Sequence, residues 1–120
     1  MGMSRTVKKL VSEGDANGLI GIAVDGRLGK RERRAAIQAL GEMQSRAAVQ
    51  HLIPLLRGEG VALFTAEALG LIGDGRAAPY LAPLMASPNR VDRTYGELAL
   101  RRLYVADPDG VRAALDNALG

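Results

Sequence analysis

Apolar residues recur every three to four positions along most of the chain, which is the spacing of one face of an α-helix. Between 46 and 57, for example, Val49, Leu52, Ile53 and Leu56 fall on one face. Glycine, proline and aspartate separate such stretches, as they do at helix ends and turns. The pattern predicts eight helices, at 4–13, 15–24, 30–43, 46–57, 61–72, 76–86, 89–105 and 107–119.

Residues at the helix ends and on the apolar faces refine this prediction. We expect Ser4, Asp15 and Ser45 to act as N-caps. Pro54 and Pro83 lie 29 residues apart inside two predicted helices, where a kink is expected because proline has no amide proton. The inward faces are expected to include several large residues and one polar one: Phe64, Thr65, Met85, Tyr95, Leu98, Val111 and Leu119.

The predicted helices form an internal repeat. Ala39-Leu40-Gly41 returns 29 residues later as Ala68-Leu69-Gly70, and Arg46-Ala47-Ala48 returns 30 residues later as Arg76-Ala77-Ala78. A helical hairpin of this length cannot cover its own apolar face, so neighbouring hairpins must stack. We therefore predict an all-α fold, a short right-handed α-solenoid of about four stacked helical hairpins. Its single domain, 1–120, would comprise a degenerate N-terminal hairpin (1–29), unit one (30–58), unit two (59–87) and unit three with a C-terminal cap (88–120).

The repeat also resembles a known family. Its consensus, Arg-x-x-Ala-x-x-Ala-Leu-Gly-x-Ile-Gly-Asp-x-Arg-Ala-x-x-x-Leu, is similar to the HEAT-like repeat of the phycobilisome-lyase type. Unit two matches it best, through Ala68-Leu69-Gly70, Ile72-Gly73-Asp74 and Arg76-Ala77, whereas unit three has Arg101-Arg102 in place of the glycine pattern. The resemblance implies a binding or scaffold protein, or an accessory role related to bilin lyases.

Residue usage argues against an enzyme. The chain contains no cysteine and one histidine, His51, so a metal site would need carboxylates from elsewhere. The glycines follow no phosphate-loop pattern. We therefore expect no catalytic residues, no cofactor and no metal. No apolar run approaches the roughly 18 to 20 residues of a membrane span, so we expect a cytoplasmic protein without a membrane partner.

Positive charge is concentrated near the N-terminus. Residues 1–34 hold eight of the sixteen lysines and arginines against four acidic residues. Clustered cations release counterions when they bind phosphates, which makes nucleic-acid binding one alternative. Its candidate residues are Arg27, Lys30, Arg31 and Arg34, with Arg33 assigned to the structure of the repeat.

Protein binding is the leading alternative. In α-solenoids the second helices of successive units line one concave surface. The polar residues predicted there are mixed in type, which suits a protein partner better than a phosphate backbone: Gln50, His51, Arg57, Tyr80 and Asn117. Self-association into a homodimer is a further expectation, because the ends of a short solenoid expose apolar faces unless they are capped.

Overall fold

A computed structural model describes residues 4–120 and contains only helices and turns over that range. The first three residues of the predicted N-terminal hairpin lie outside it. The eight α-helices are α1 (Arg5–Ser12), α2 (Ala16–Val24), α3 (Lys30–Glu42), α4 (Val49–Leu52), α5 (Ala62–Ile72), α6 (Ala78–Leu81), α7 (Arg90–Ala106) and α8 (Pro108–Leu119). Short 3-10 helices flank α4 (Arg46–Ala48, Ile53–Arg57) and α6 (Gly75–Ala77, Ala82–Ala86). The all-α prediction is confirmed.

The helices form two layers of a small α-solenoid. In the first layer α3, α5 and α7 lie side by side, with α1 next to α3. The second layer contains α2, the segment 46–57, the segment 75–86 and α8. Each middle segment packs against the first-layer helix of the following unit, 46–57 against α5 and 75–86 against α7. Stability therefore depends on contacts between units, as expected of a stacked repeat.

The core between the layers is aliphatic. Its largest fully buried side chains include one leucine from each of six helices or segments: Leu19, Leu40, Leu52, Leu69, Leu81 and Leu103. Each such side chain stabilises the fold by about 1.5–3 kcal/mol relative to an exposed one. Thr65 is buried as well, and its hydroxyl donates a 2.9 Å hydrogen bond to the carbonyl oxygen of Val61. The one polar residue predicted on the inward face of this helix is therefore hydrogen-bonded to the backbone one turn earlier in the chain.

Several residues predicted to point inward are exposed instead: Phe64, Met85, Leu98 and Leu119. For Phe64 the reason is Arg34, whose guanidinium carbon lies 5.0 Å from the centre of the ring. This cation–π contact needs the ring at the edge of the core. Leu98 and Leu119 lie on α7 and α8, on faces that the rest of the described chain leaves exposed.

The N-cap predictions are correct at two of three positions. Ser4 accepts a hydrogen bond from the amide of Val7, and Asp15 accepts one from the amide of Gly18. Ser45 makes no side-chain capping bond. Its segment begins with a 3-10 turn, in which the amide of Ala48 bonds directly to the carbonyl oxygen of Ser45.

The prolines explain why the second-layer segments are not continuous α-helices. Segment 46–57 changes from α to 3-10 at Ile53, directly before Pro54, and segment 75–86 changes at Ala82, directly before Pro83. A proline inside a helix cannot donate the bond to the preceding turn, so the α pattern stops there. At both prolines, where a kink was predicted, the structure shows a change of helix type.

First-layer helices approach one another closely at two glycines. A Cβ atom on Gly41 of α3 would lie 2.8 Å from the Cα of Ala68 in α5, and one on Gly70 of α5 would lie 3.0 Å from the Cα of Ala99 in α7. Small residues at these positions let the backbones come together. The equivalent position in α7 is Arg101, whose side chain is exposed and paired with Glu97 at 2.9 Å.

The last helix is attached to the turn of unit two. One carboxylate oxygen of Asp107 accepts a 3.0 Å bond from the amide of Gly110 and so caps α8, while the other accepts a 2.9 Å bond from the amide of Gly75. A Cβ on Gly75 would clash with the amide nitrogen of Val111. The turn before α6 and the start of α8 thus pack backbone to backbone.

We expect Gly41→Ala to lower the free energy of unfolding by a net of up to about 2 kcal/mol, measured by urea denaturation. Overpacking against the α5 backbone costs about 1–3 kcal/mol, which outweighs the gain of about 1 kcal/mol in helix propensity. Gly21→Ala in α2 is the matched control, because nothing lies within 4 Å of its Cβ position. That substitution should stabilise the protein. Equal effects of the two substitutions would contradict close packing at Gly41.

Candidate partner-binding groove

A groove runs between the two middle segments of the second layer. It has a volume of about 600 Å³ and an apolar floor with polar residues at its edge. Three of its residues are prolines that break or begin helices. The lining residues are Ile53, Pro54, Leu56, Arg57, Pro79, Tyr80, Pro83, Leu84, Ser87 and Asp92.

A second depression of about 480 Å³ continues this surface toward the C-terminus, between segment 75–86 and α8. Pro79 and Tyr80 line both depressions, so Tyr80 stands on the ridge between them with 54% of its surface exposed. On the α8 side the walls are small residues and one amide: Gly110, Ala113, Ala114, Asn117 and Ala118. We call the two depressions together the second-layer groove.

The structure brings three of the five predicted partner-binding residues to this groove. Arg57, Tyr80 and Asn117 come from three different units and line one continuous surface. Gln50 and His51 are exposed on α4 but line neither depression. They occupy the positions in unit one that Pro79 and Tyr80 occupy in unit two, one repeat away from the groove.

Sequence reasoning missed the prolines and the acidic edge of the groove. Pro54 and Pro83 were interpreted only as helix-breaking residues, although their 29-residue spacing places them at equivalent sites on one face. Asp92 accepts a 2.7 Å hydrogen bond from the hydroxyl of Ser87. That pair closes one end of the groove and joins the start of α7 to it.

The two arginines of the groove differ in their partners. Arg57 makes no hydrogen bond or ion pair within residues 4–120, so its guanidinium is available to a bound carboxylate. Arg76 binds Asp74 through Nη2 at 2.6 Å and also through Nε. The guanidinium of Arg76 holds the pKa of the buried Asp74 carboxyl below its usual value. Asp74 also accepts the amide of Arg76 and thereby caps the turn.

The N-terminal cations are largely engaged in the fold. The exposed Arg27 pairs with the partly buried Asp25 at 3.0 Å, and the hydrogen bond from Arg27 lowers the pKa of that carboxyl. Lys30 lies 3.8 Å from Glu59. Arg33 donates to the carbonyl oxygen of Ala23, and Arg34 donates to that of Gly60 at 2.7 Å. The structural role predicted for Arg33 is confirmed, and Arg34 has one too, since it joins α3 to unit two.

Two negative findings apply to the part of the chain that the structure describes. No group of three or more His, Asp or Glu side chains there is arranged to hold a metal ion. None of its helices combines the length and apolar character that crossing a membrane requires.

The stacked helices, the close glycine contacts and the second-layer groove define a small α-solenoid. The profile of the HEAT repeats family matches residues 29–101, which is more than half of the chain, so this protein belongs to the HEAT repeat family. The match begins beside α3 and ends within α7, at Arg101, where the glycine pattern stops. No curated protein and no solved structure matches the chain significantly.

We expect Asp74→Asn to lower the free energy of unfolding at pH 7 by about 1–2 kcal/mol, because it weakens a charge-assisted hydrogen bond to a half-exposed arginine. The pKa of Asp74 is lower in the folded state. Its contribution is therefore fully present above the unfolded pKa, near 4, and is lost as the pH falls through the folded pKa. The difference between wild type and variant should shrink below about pH 4, measured by denaturant unfolding at several pH values.

Asp116→Asn is the control for this experiment, because Asp116 is an exposed carboxylate on α8 without a side-chain hydrogen bond in the described chain. It should change the free energy of unfolding at pH 7 by less than about 0.5 kcal/mol. A difference for Asp74→Asn that stays constant down to pH 3 would contradict the role assigned to its carboxylate.

Proposed function

We propose that this chain is a non-enzymatic binding module that takes an extended segment of a protein partner in the second-layer groove. HEAT repeats generally mediate protein–protein interaction or scaffolding. The observation that carries the proposal is the meeting of two depressions at the exposed Tyr80, beside an arginine without an internal partner. The second layer would then be the concave, partner-facing surface of the solenoid.

The chemistry of the groove supports a peptide with particular features. Its floor is apolar and rigid, because three prolines limit the backbone and Ile53, Leu56 and Leu84 supply aliphatic contacts. Sites of this kind bind apolar groups and fix their orientation with a few polar contacts. Tyr80 offers an aromatic surface and a hydroxyl, Arg57 a cation and Asn117 an amide. An apolar side chain followed by a carboxylate would use the floor and Arg57 together.

The other two functions expected from the sequence have less support. Nucleic-acid binding through the N-terminal cluster would compete with the internal partners of Arg27, Lys30 and Arg34. The phycobilisome-lyase subtype, and with it an accessory role related to bilin lyases, stays a prediction from the resemblance. Tyr80 is the one aromatic residue that lines the second-layer groove, which offers little stacking surface to a tetrapyrrole.

The test is capture of partners from a nuclease-treated native lysate by the immobilised chain, followed by a titration of each captured protein. Tyr80→Ala should lower the affinity of a groove-bound partner at least about tenfold, as expected for a central aromatic anchor worth more than 1.4 kcal/mol. Arg57→Glu should lower it further in low salt. His51→Ala is the matched control, since His51 occupies the equivalent position in unit one outside the groove.

Two outcomes, compared between lysate with and without nuclease treatment, separate the alternatives. Binding that survives Tyr80→Ala and Arg57→Glu unchanged would contradict the groove as the binding surface. Bound material that disappears with nuclease and with moderate salt, and is lost in Arg27→Glu/Lys30→Glu, would instead support nucleic-acid binding. Because Tyr80, Arg57 and His51 are all exposed, their substitutions should leave the unfolding midpoint unchanged.

A further inference from the structure

The outer surface of α7 carries an apolar stripe that no part of the described chain covers. Val91, Leu98 and Val105 follow one another at intervals of seven residues, which places them on one face of the helix. Their exposed fractions are 50%, 43% and 83%. The stripe is about 21 Å long, from 14 residues at about 1.5 Å each. It lies in the first layer, away from the second-layer groove.

The repeat itself does not require apolar residues at these positions. The close contacts of Gly41 with Ala68 and of Gly70 with Ala99 align the three first-layer helices residue by residue. Under that alignment, unit one and unit two have polar residues or glycine where unit three has the stripe. On the helices the equivalents are Arg31 and Gln38 in α3 and Glu67 in α5, and the other three, Ser45, Gly60 and Asp74, lie in the turns outside these helices. The apolar character is specific to α7.

A further repeat is not the occupant that this surface suits. Inside the stack each first-layer helix accepts its neighbour at a glycine, and α7 has Arg101 at that position. The arginine side chain projects where the next backbone would have to come within contact distance. A helix that packs on the stripe must therefore lie beside Arg101, at the ordinary interaxial distance of about 8–10 Å.

The stripe is symmetric about its centre, which is the arrangement that self-pairing requires. Leu98 lies midway, and Val91 and Val105 are each seven residues from it. If two copies of α7 pack antiparallel around a two-fold axis at Leu98, this leucine contacts its own counterpart. Val91 of each copy then contacts Val105 of the other. A two-fold interface of this kind uses the same surface on both copies.

The charges along α7 are compatible with this register. In this register the flanks on the same side of the stripe face each other, which places Arg101 beside Thr94 of the second copy and Arg102 beside Tyr95. The arginines of the two copies therefore meet a ring and a hydroxyl instead of each other, and an arginine beside a tyrosine ring is attractive. Glu97, which pairs with Arg101 within each helix, keeps that guanidinium partly neutralised.

We propose that this protein forms a homodimer through antiparallel packing of α7, with Leu98 on the two-fold axis and Val91 against Val105. Each second-layer groove lies on the other layer of its own protomer, so the dimer presents two grooves at once. Such a dimer would bind a partner with two copies of the recognised segment far more tightly than a monomer does. The assembly itself does not depend on the proposed function of the groove.

The first test is sedimentation velocity of the full chain over a concentration series, for wild type and Leu98→Glu. Wild type should show a reversible monomer–dimer equilibrium. Leu98→Glu places two carboxylates together on the axis and should raise the dissociation constant at least about 30-fold. Leu119→Glu is the matched control, because Leu119 is an exposed leucine on α8 outside the stripe, and it should leave the equilibrium unchanged.

Val105→Glu protects the test against a folding artefact, since 83% of Val105 is exposed and its replacement should not disturb the core. It should also weaken the dimer. Wild type that stays monomeric at every concentration overturns the proposal, whatever other protein covers the stripe. A dimer unaffected by both Leu98→Glu and Val105→Glu overturns it as well. Tyr80→Ala should leave the dimer intact, because Tyr80 lies in the second-layer groove and outside the stripe. The dimer and the binding function of the groove can therefore fail independently.

Cysteine pairs test the register, and the natural chain contains no cysteine to interfere. Under mild oxidation Leu98→Cys should form a covalent dimer with itself. Val91→Cys and Val105→Cys should each form little dimer alone but should cross-link when mixed. Cross-linking of Val91→Cys with itself, and none in the mixture, would indicate parallel packing and overturn the proposed geometry.

Discussion

The close approach of the first-layer backbones at Gly41 and Gly70 is the constraint on which the rest of the structure depends. Because these glycines contact alanines of the next helix, α3, α5 and α7 lie nearer to one another than large side chains would permit. The narrow spacing suits a core of leucine, isoleucine, alanine and valine, in a chain with one phenylalanine and no tryptophan.

Sequence alone predicted the number of helices and their approximate ends, because apolar spacing and glycine, proline and aspartate positions are local signals. It did not predict the split of the second-layer segments into two helix types, nor the exposure of Phe64, which depends on Arg34 from the preceding unit. Of the five residues predicted for the partner-binding surface, three line the second-layer groove. Arg57, Tyr80 and Asn117 come from different units, and only the stacking of those units decides that they line one surface while His51 does not.

The contrast between the two groups of cations illustrates why charge along a sequence is a weak guide to function. The N-terminal arginines and lysine stand out in the sequence, yet in the fold Arg33 and Arg34 bind carbonyl oxygens of neighbouring segments. Arg27 and Lys30 form exposed ion pairs. Arg57 is inconspicuous in the sequence and has no internal partner in the described chain. A cation without such a partner is the one that a ligand can engage without breaking existing bonds.

The glycine contacts give the stack a direction. The middle first-layer helix, α5, presents Ala68 to the helix before it and Gly70 to the helix after it, and the series stops at Arg101 of α7. A duplicate of unit two inserted between units two and three would present its alanine to Gly70 and its glycine to Ala99. The same glycine–alanine contact would then form on both sides of the insert, and no new kind of helix contact would be needed. The fold is therefore suited to lengthening from within, by tandem duplication of its central unit, and resists extension beyond α7.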